Sequence, residues 1–262
     1  MSSYKIFETH AHYDDEAFDE DRDVLLGSMD ENGIREVVNV CASIDSLEKT
    51  KALMEKYSFV YGAFGIHPDD AELVTEEVLD KVRECCGLEK AVAVGEIGLD
   101  YYWHKEAGEH ELQKKVFRQQ MEIARELHLP FMVHSREAAA DTLDLVKDCV
   151  NEGMYGGIIH CFSYGKEMAR EYLNMGLYLG IGGVVTFNNA RKVKEVVEYA
   201  PLEQIVLETD SPYLSPVPYR GKRNCSLNLP LVAEEIGRIK GISSEEVVRV
   251  TGDNARRLLL RK

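Results

Sequence analysis

Eight times along 262 residues, a short run of apolar and β-branched residues is followed by a longer amphipathic stretch. The runs are 4–8, 36–42, 59–64, 91–96, 131–134, 157–161, 177–181 and 204–208. Between them apolar residues recur at helical spacing. In 108–127 the residues Leu112, Val116, Phe117, Gln120, Ile123, Ala124 and Leu127 share one face. Runs such as 91–94 and 205–207 are almost wholly apolar, as strands of a parallel sheet buried on both faces are. Gly27, Gly33, Gly87, Gly153 and Gly176 fall where helices end or turns enter strands. No linker or low-complexity tract interrupts the pattern. Eight β–α units in about 250 residues fit a closed (β/α)8 TIM barrel, here a single domain over 1–262. An open doubly wound sheet is disfavoured, because no GxGxxG follows the first strand.

Hydrophobic residues at 45 % and charged residues at 29 % exclude a disordered, collagenous or disulfide-scaffold chain. The 46 acidic against 31 basic residues leave a net charge of −15. That excess argues against a protein coating itself along a nucleic-acid backbone, since each phosphate contact needs a cation. It leaves room for a small basic patch. Much of the acid falls in 14–23 and 75–84, read as helices of an outer ring. The six cysteines form no CxxC pair, and most sit as small hydrophobes in apolar segments. The first residues lack the apolar core of a signal peptide, and no stretch approaches the ~18 apolar residues of a membrane span. A cytoplasmic, monomeric protein in a reducing compartment, with no membrane partner, is expected.

In such a barrel, chemistry collects at the C-terminal ends of the strands. Those ends carry His10 and His12, His67, Glu96, His134, His160 and Asp210. Residues i and i+2 of an extended chain lie ~6.6 Å apart on one face, so His10 and His12 can reach one ion. The plain alternative is one imidazole in the core and the other capping a loop. A carboxylate ending a buried apolar strand, as Glu96 does, is costly unless it is paired with an arginine or bound to metal. Imidazoles with carboxylates suit divalent Zn, Mn, Fe or Co, and Glu96 could bridge two ions. Asp210 is placed to be a ligand and a general base, or else a capping residue before Pro212. His67, in a Gly-Ile-His-Pro turn, would hold substrate. Arg136, Arg220 and Lys222 put cations at the same rim, where guanidinium groups can grip phosphate; Arg223 is a weaker candidate. Tyr101, Tyr102, Trp103, Phe162 and Phe187 could stack bases of a single strand, although most read as loop-packing aromatics.

These segments together resemble the TatD family of metal-dependent deoxyribonucleases, in the amidohydrolase-like barrel superfamily. The matching stretches run from Glu8-Thr9-His10-Ala11-His12 through Gly65-Ile66-His67-Pro68, Val94-Gly95-Glu96-Ile97-Gly98-Leu99-Asp100 and His134-Ser135-Arg136. They continue through His160-Cys161-Phe162-Ser163, Leu207-Glu208-Thr209-Asp210-Ser211-Pro212-Tyr213 and Arg220-Gly221-Lys222-Arg223-Asn224 to Asn254. The resemblance implies one metal on His10, His12, Glu96 and Asp210, and a second on Glu96, His134 and His160. It implies Mg or Mn dependence and 3′→5′ exonuclease activity on DNA, single-stranded or at 3′ ends. Imidazole-rich ligation would accept Zn at least as well. The carboxylate at strand four separates the chain from phosphotriesterase-like relatives, expected to offer a lysine there. The chain departs from the family pattern twice. Glu8 stands where Asp is usual, and Cys225-Ser226 stand where Glu-Pro is usual.

The predicted reaction is two-metal phosphodiester hydrolysis, with Asp210 and Glu96 as catalytic residues. The alternatives are a related hydrolase of a small ester, amide or lactone, and a catalytically silent metal-binding protein. With so few cations at the rim, DNA binding should depend on metal and have a shallow salt slope.

Overall fold

The computed structural model describes residues 5–260, and the alternation read from the sequence closes into a barrel. Eight parallel strands lie in sequential order: β1 Ile6–Ala11, β2 Ile34–Val40, β3 Val60–Phe64, β4 Ala91–Asp100, β5 Phe131–Arg136, β6 Gly157–Ile159, β7 Tyr178–Ile181 and β8 Ile205–Leu207. Each is followed by a helix: α1 Arg22–Gly27, α2 Ile44–Lys56, α3 Glu76–Cys86, α4 Ala107–Glu126, α5 Ala139–Asn151, α6 Lys166–Asn174, α7 Arg191–Tyr199 and α8 Leu229–Lys240. A ninth, α9 Ser244–Leu259, packs against β1 and β8. No helix of the described residues is long and apolar enough to cross a membrane. All six cysteines are free.

The ring closes where β8 has already ended. The Asp210 N–H donates to the His10 carbonyl at 2.9 Å, and the His12 N–H to the Ser211 carbonyl at 2.8 Å. Inside the barrel Phe7, Val38, Val92, Met132, Ile158 and Val206 form one buried cluster with Ala255, Leu258 and Leu259 of α9, which seals the N-terminal end. Outward-facing strand residues pack under the helices. On α4, Val116, Phe117, Ile123 and Ala124 are buried as their spacing predicts, whereas Leu112 is 37 % exposed near the start of the helix.

Three expectations shift. The first strand begins two residues later than expected, so His10 lies within β1; residue 4 lies outside the described residues. β4 does not end at Glu96 but runs on to Asp100, pairing Ile97 with Val133 and Asp100 with Arg136. Gly98 permits this, since a side chain there would meet the His134 carbonyl. The register breaks between Val94 and Ile97, where the Glu96 N–H crosses to the Cys41 carbonyl at 2.8 Å. Finally, 14–23 is not an outer helix. Residues 14–21 are the loop after β1, with one short 3-10 turn at Glu16–Phe18 and held over the barrel by the buried Tyr13 and Phe18, and only Arg22 and Asp23 open α1.

Candidate active site

Strand parity places the chemistry. Two residues beyond Met132, Ile158 and Val206 stand His134, His160 and Glu208, on the side that faces the barrel axis. β1 brings Glu8 and His10, with His12 just past its end. Glu8, His10, His12, Glu96, Asp100, His160 and Glu208 are all buried.

The donor atoms converge on Glu96. Its Oε2 lies 3.3 Å from His10 Nε2 and 3.6 Å from His12 Nε2. Asp210 Oδ1 joins them, 3.9 Å from His10 Nε2 and 3.4 Å from His12 Nε2. The two imidazole Nε2 atoms are 3.2 Å apart. Ligands held ~2.1 Å from a tetrahedral ion stand about 3.4 Å from one another, which is the spacing of this set. The other oxygen, Oε1, lies 3.0 Å from His134 Nδ1 and 3.3 Å from His160 Nε2. Each oxygen of this carboxylate therefore faces its own pair of histidines, and His160 also reaches across to Asp210, its Nε2 3.9 Å from Oδ1, so that His10, His160 and Asp210 group as well.

The far sides of the rings agree with that use. His12 Nδ1 is 2.8 Å from the Val40 carbonyl, which puts its proton there and leaves Nε2 facing inward. His134 Nε2 is 3.2 Å from Asp100 Oδ2, so Nδ1 points to Glu96. His160 Nδ1 lies 3.2 Å from Glu208 Oε1, though not in line for a hydrogen bond. That oxygen also takes the Cys161 N–H at 2.6 Å. Carboxylates and carbonyls behind imidazoles set the tautomer that a metal ligand needs. The residues present thus fit divalent ions. In the metal-free protein, protons do the balancing. Burial opposes the charged rings, but Asp210 and Glu96 lift His12 to about 9, and Asp100 and Glu96 lift His134 to about 9. Against burial, Glu208 and Glu96 lift His160 to about 10. Burial would raise Glu96, but His160 and His10 hold it well below the usual carboxylate range.

His67 is brought to the same cluster, its Nε2 3.9 Å from Glu96 Oε1 and its ring edge-on to His134. Its Nδ1 lies 3.2 Å from the Asp69 N–H and 3.4 Å from the Asp69 carboxylate, which leaves Nε2 aimed into the site. It, Glu96 and His134 are close enough together to form a further set of ligand atoms. Asp210 adopts φ 57°, in the left-handed region that Asp tolerates better than most, at the turn that brings its carboxylate to the histidines.

Sequence reasoning passed over Asp100, Glu208 and Glu8 as site residues. Each lies an even number of residues from a chosen one in its own strand or strand extension, 100 from 96, 208 from 210, 8 from 10, and that parity was the available signal. Glu8 Oε1 accepts the Thr209 N–H at 2.9 Å and the His10 N–H at 3.2 Å, tying the β1 and β8 ends together. Oε2 accepts the Thr209 hydroxyl at 2.7 Å and the Ser226 hydroxyl at 2.9 Å. The two departures from the family pattern therefore touch. The longer Glu8 side chain is met by a hydroxyl that proline could not supply. Cys225 plays no part in that network.

Arg136, Arg220 and Lys222 make no ion pair among the described residues, whereas Arg223 is committed to Asp21 at 2.6 Å. Arg136 lies over the Tyr102 ring at 3.9 Å, and Arg220 over Phe187 at 3.6 Å. Tyr101, Phe162 and Phe187 pack, as most of the aromatics were expected to. Tyr102 and Trp103 instead stay exposed.

The sequence matches the TatD related DNase family over residues 7–260. It is 41 % identical to the uncharacterized metal-dependent hydrolase YabD of Bacillus subtilis, over 97 % of this chain and 98 % of that protein. It is 30 % identical to the 3′-5′ ssDNA/RNA exonuclease TatD of Cronobacter sakazakii, over 93 % of this chain and 94 % of that one. Its fold superposes with a TM-score of 0.91 on the crystal structure of YJJV, a TatD homologue from Escherichia coli K12. The two are 25 % identical, over 98 % of this chain and 99 % of that one. The chain belongs to the TatD related DNase family of metal-dependent hydrolases.

Proposed function

We propose that this protein hydrolyses phosphodiester bonds at the 3′ end of single-stranded DNA, with two divalent ions as cofactors. The observation that carries the reading is Glu96, whose two oxygens face separate pairs of histidines. His10, His12 and Asp210 would complete one site and His134 and His160 the other, with Glu96 shared. The kinship with a relative named as a 3′-5′ exonuclease supports DNA as substrate, and so do the three rim cations without carboxylate partners.

When bound, such ions supply Lewis acidity and lower the pKa of a water at neutral pH. Mg or Mn would serve, and Zn would bind at least as well. The chain's own residues do the rest. Asp210 receives the proton of the attacking water and returns it to the leaving oxygen as the P–O bond joining the terminal nucleotide to the strand breaks. Arg136 and Arg220 balance the charge growing on the phosphoryl oxygens, and Lys222 adds a point charge. His67 donates its Nε2–H to the substrate phosphate. Burial of the histidine cluster keeps bulk water from competing for these groups.

The test is Asp210→Asn, assayed on a 3′-labelled oligonucleotide beside a panel of small phosphoesters and lactones. A general base contributes about 10²- to 10⁴-fold, so turnover should fall by that much with the circular dichroism spectrum unchanged. An Asn variant that still digests the strand sinks the assignment. Cleavage confined to the small esters would replace DNA as substrate.

A further inference from the structure

Two aromatic surfaces of the barrel mouth face each other; the cations beside them serve the hydrolysis, but the rings themselves have no part in it. In an eight-stranded barrel of sequential order, the ends of β4 and β8 lie on opposite sides of the axis. Beyond β8 is a pocket of about 480 Å³ walled by Phe187, Pro212, Tyr213, Arg220 and Lys222. Pro212 and Tyr213 follow Asp210 directly in the chain, so the pocket opens beside the site. Its volume suits one small ligand. Beyond β4, Tyr102 and Trp103 form an open shelf, 39 % and 65 % exposed, edge-on to each other at 4.6 Å. The Arg136 guanidinium lies over both rings, at 3.9 and 5.5 Å.

The shelf is aimed, not loose. Asp100 Oδ1 accepts the N–H groups of Tyr102 and Trp103 at 2.8 and 3.1 Å, while its Oδ2 holds His134 at 3.2 Å. One buried carboxylate thus sets both the shelf and a candidate metal ligand. On each side an aromatic surface is paired with a cation that no carboxylate claims. That combination matches the stacked bases and linking phosphates of a single strand, in a chain whose surface is otherwise acidic.

We infer that the mouth is a two-sided seat for single-stranded DNA, a deepening that rests on the nuclease reading above. The terminal nucleotide enters the Tyr213–Arg220 pocket, the scissile phosphate lies over Glu96 and Asp210, and the continuing strand leaves across the Tyr102–Trp103 shelf. The β8 side takes the end because its pocket has room for one small unit. The open β4 shelf takes the chain that extends into solvent.

Trp103 is the chain's one tryptophan, so its emission reports on the shelf alone. The full chain, loaded with Mg²⁺, is titrated with a phosphorothioate (dT)10 that resists cleavage, and digestion of ordinary (dT)10 is followed separately. Saturating decamer should quench the emission by at least about half, and thymidine monophosphate should not. A base stack on such a ring changes affinity by about 5- to 160-fold. Trp103→Ala and Tyr213→Ala should therefore each raise KM for (dT)10 by that factor, and Trp103→Phe should restore it. Digestion with emission unchanged at saturation, or a loss in kcat with KM untouched, overturns the seat and leaves the nuclease reading standing. Quenching with no digestion under any divalent metal upholds the seat and overturns that reading. Neither quenching nor digestion overturns both.

Discussion

The two ends of the barrel interior are built by the same strands, with the same parity on β5, β6 and β8, yet they hold opposite chemistry. Towards the N-terminal end, Phe7, Val38, Met132, Ile158 and Val206 meet α9 in a dry apolar cluster. Two residues on in β5, β6 and β8, His134, His160 and Glu208 fill the equivalent positions, joined by Glu8 from β1 and Glu96 from β4. The lower half stabilises the fold by taking apolar surface from water. The upper half takes charge from water, which costs stability unless each group is paired. There the pairing is imidazole with carboxylate, and two atoms go without even that: His10 Nδ1 and Glu208 Oε2 are buried with no hydrogen-bond partner among the described residues. The contrast teaches that the site is carried by the apolar fold below it, while Glu8 among the site carboxylates also ties strand ends together.

Paired variants break the comparison most sharply. Met132→Ala removes a wholly buried side chain from the lower cluster and should cost about 2–5 kcal/mol in denaturant unfolding. The surviving folded protein should still bind metal. Glu96→Gln should do the reverse. It removes the carboxylate that both donor sets share, so metal content per chain should collapse and turnover fall by more than about 10⁴-fold. The unfolding transition should stay cooperative, because the histidines can release the protons that Glu96 balanced. If Glu96→Gln kept its metal, the shared-ligand geometry would have no functional meaning.

A smaller effect tests how the upper half is balanced. His12, His134 and His160 have pKa values lifted to about 9, 9 and 10, so at pH 7 the metal-free rings carry protons. A metal must displace them. Affinity should rise with pH from 6 towards 9 and level off above the raised values. Calorimetric titrations at pH 7 in buffers of different ionisation enthalpy should show protons released on loading. The same lifted values stabilise the metal-free fold below about 6.5, and that contribution should be lost as pH rises through 9–10. Loading without proton release would mean that the rings are neutral in the metal-free protein.

The lower half was the more legible one. Apolar runs and helical spacing are signals spread over many residues, so small errors at strand ends left the barrel intact. The ligands were legible because histidine and carboxylate are scarce at strand ends unless they do something. What escaped was local backbone geometry. Glu96 reads as a strand end because the apolar run stops just before it, but Gly98 lets β4 press on against β5 and carry Asp100 into place. Likewise 14–23 has the acid content of an outer helix, while Tyr13 and Phe18 draw it over the mouth. Neither spacing nor composition separates a glycine that ends a strand from one that admits a neighbour.

The smallest effect bears on the charge of −15. If the acidic body repels DNA and the seat holds it, binding should depend on few ionic contacts. Arg136, Arg220 and Lys222 are the rim cations that lack carboxylate partners, and each phosphate neutralised on a single strand contributes a slope of about −0.7 in log K against log salt. Three contacts predict a slope of about −2 for the metal-loaded protein. Replacing Lys222 by alanine should bring it to about −1.4. Metal-free protein should bind far more weakly, because the ions that would meet the scissile phosphate are then missing. A slope of −5 or steeper, or tight binding without metal, would mean that DNA lies along some other surface. The contrast between a stabilising lower half and a chemical upper half would then leave out where the substrate is held.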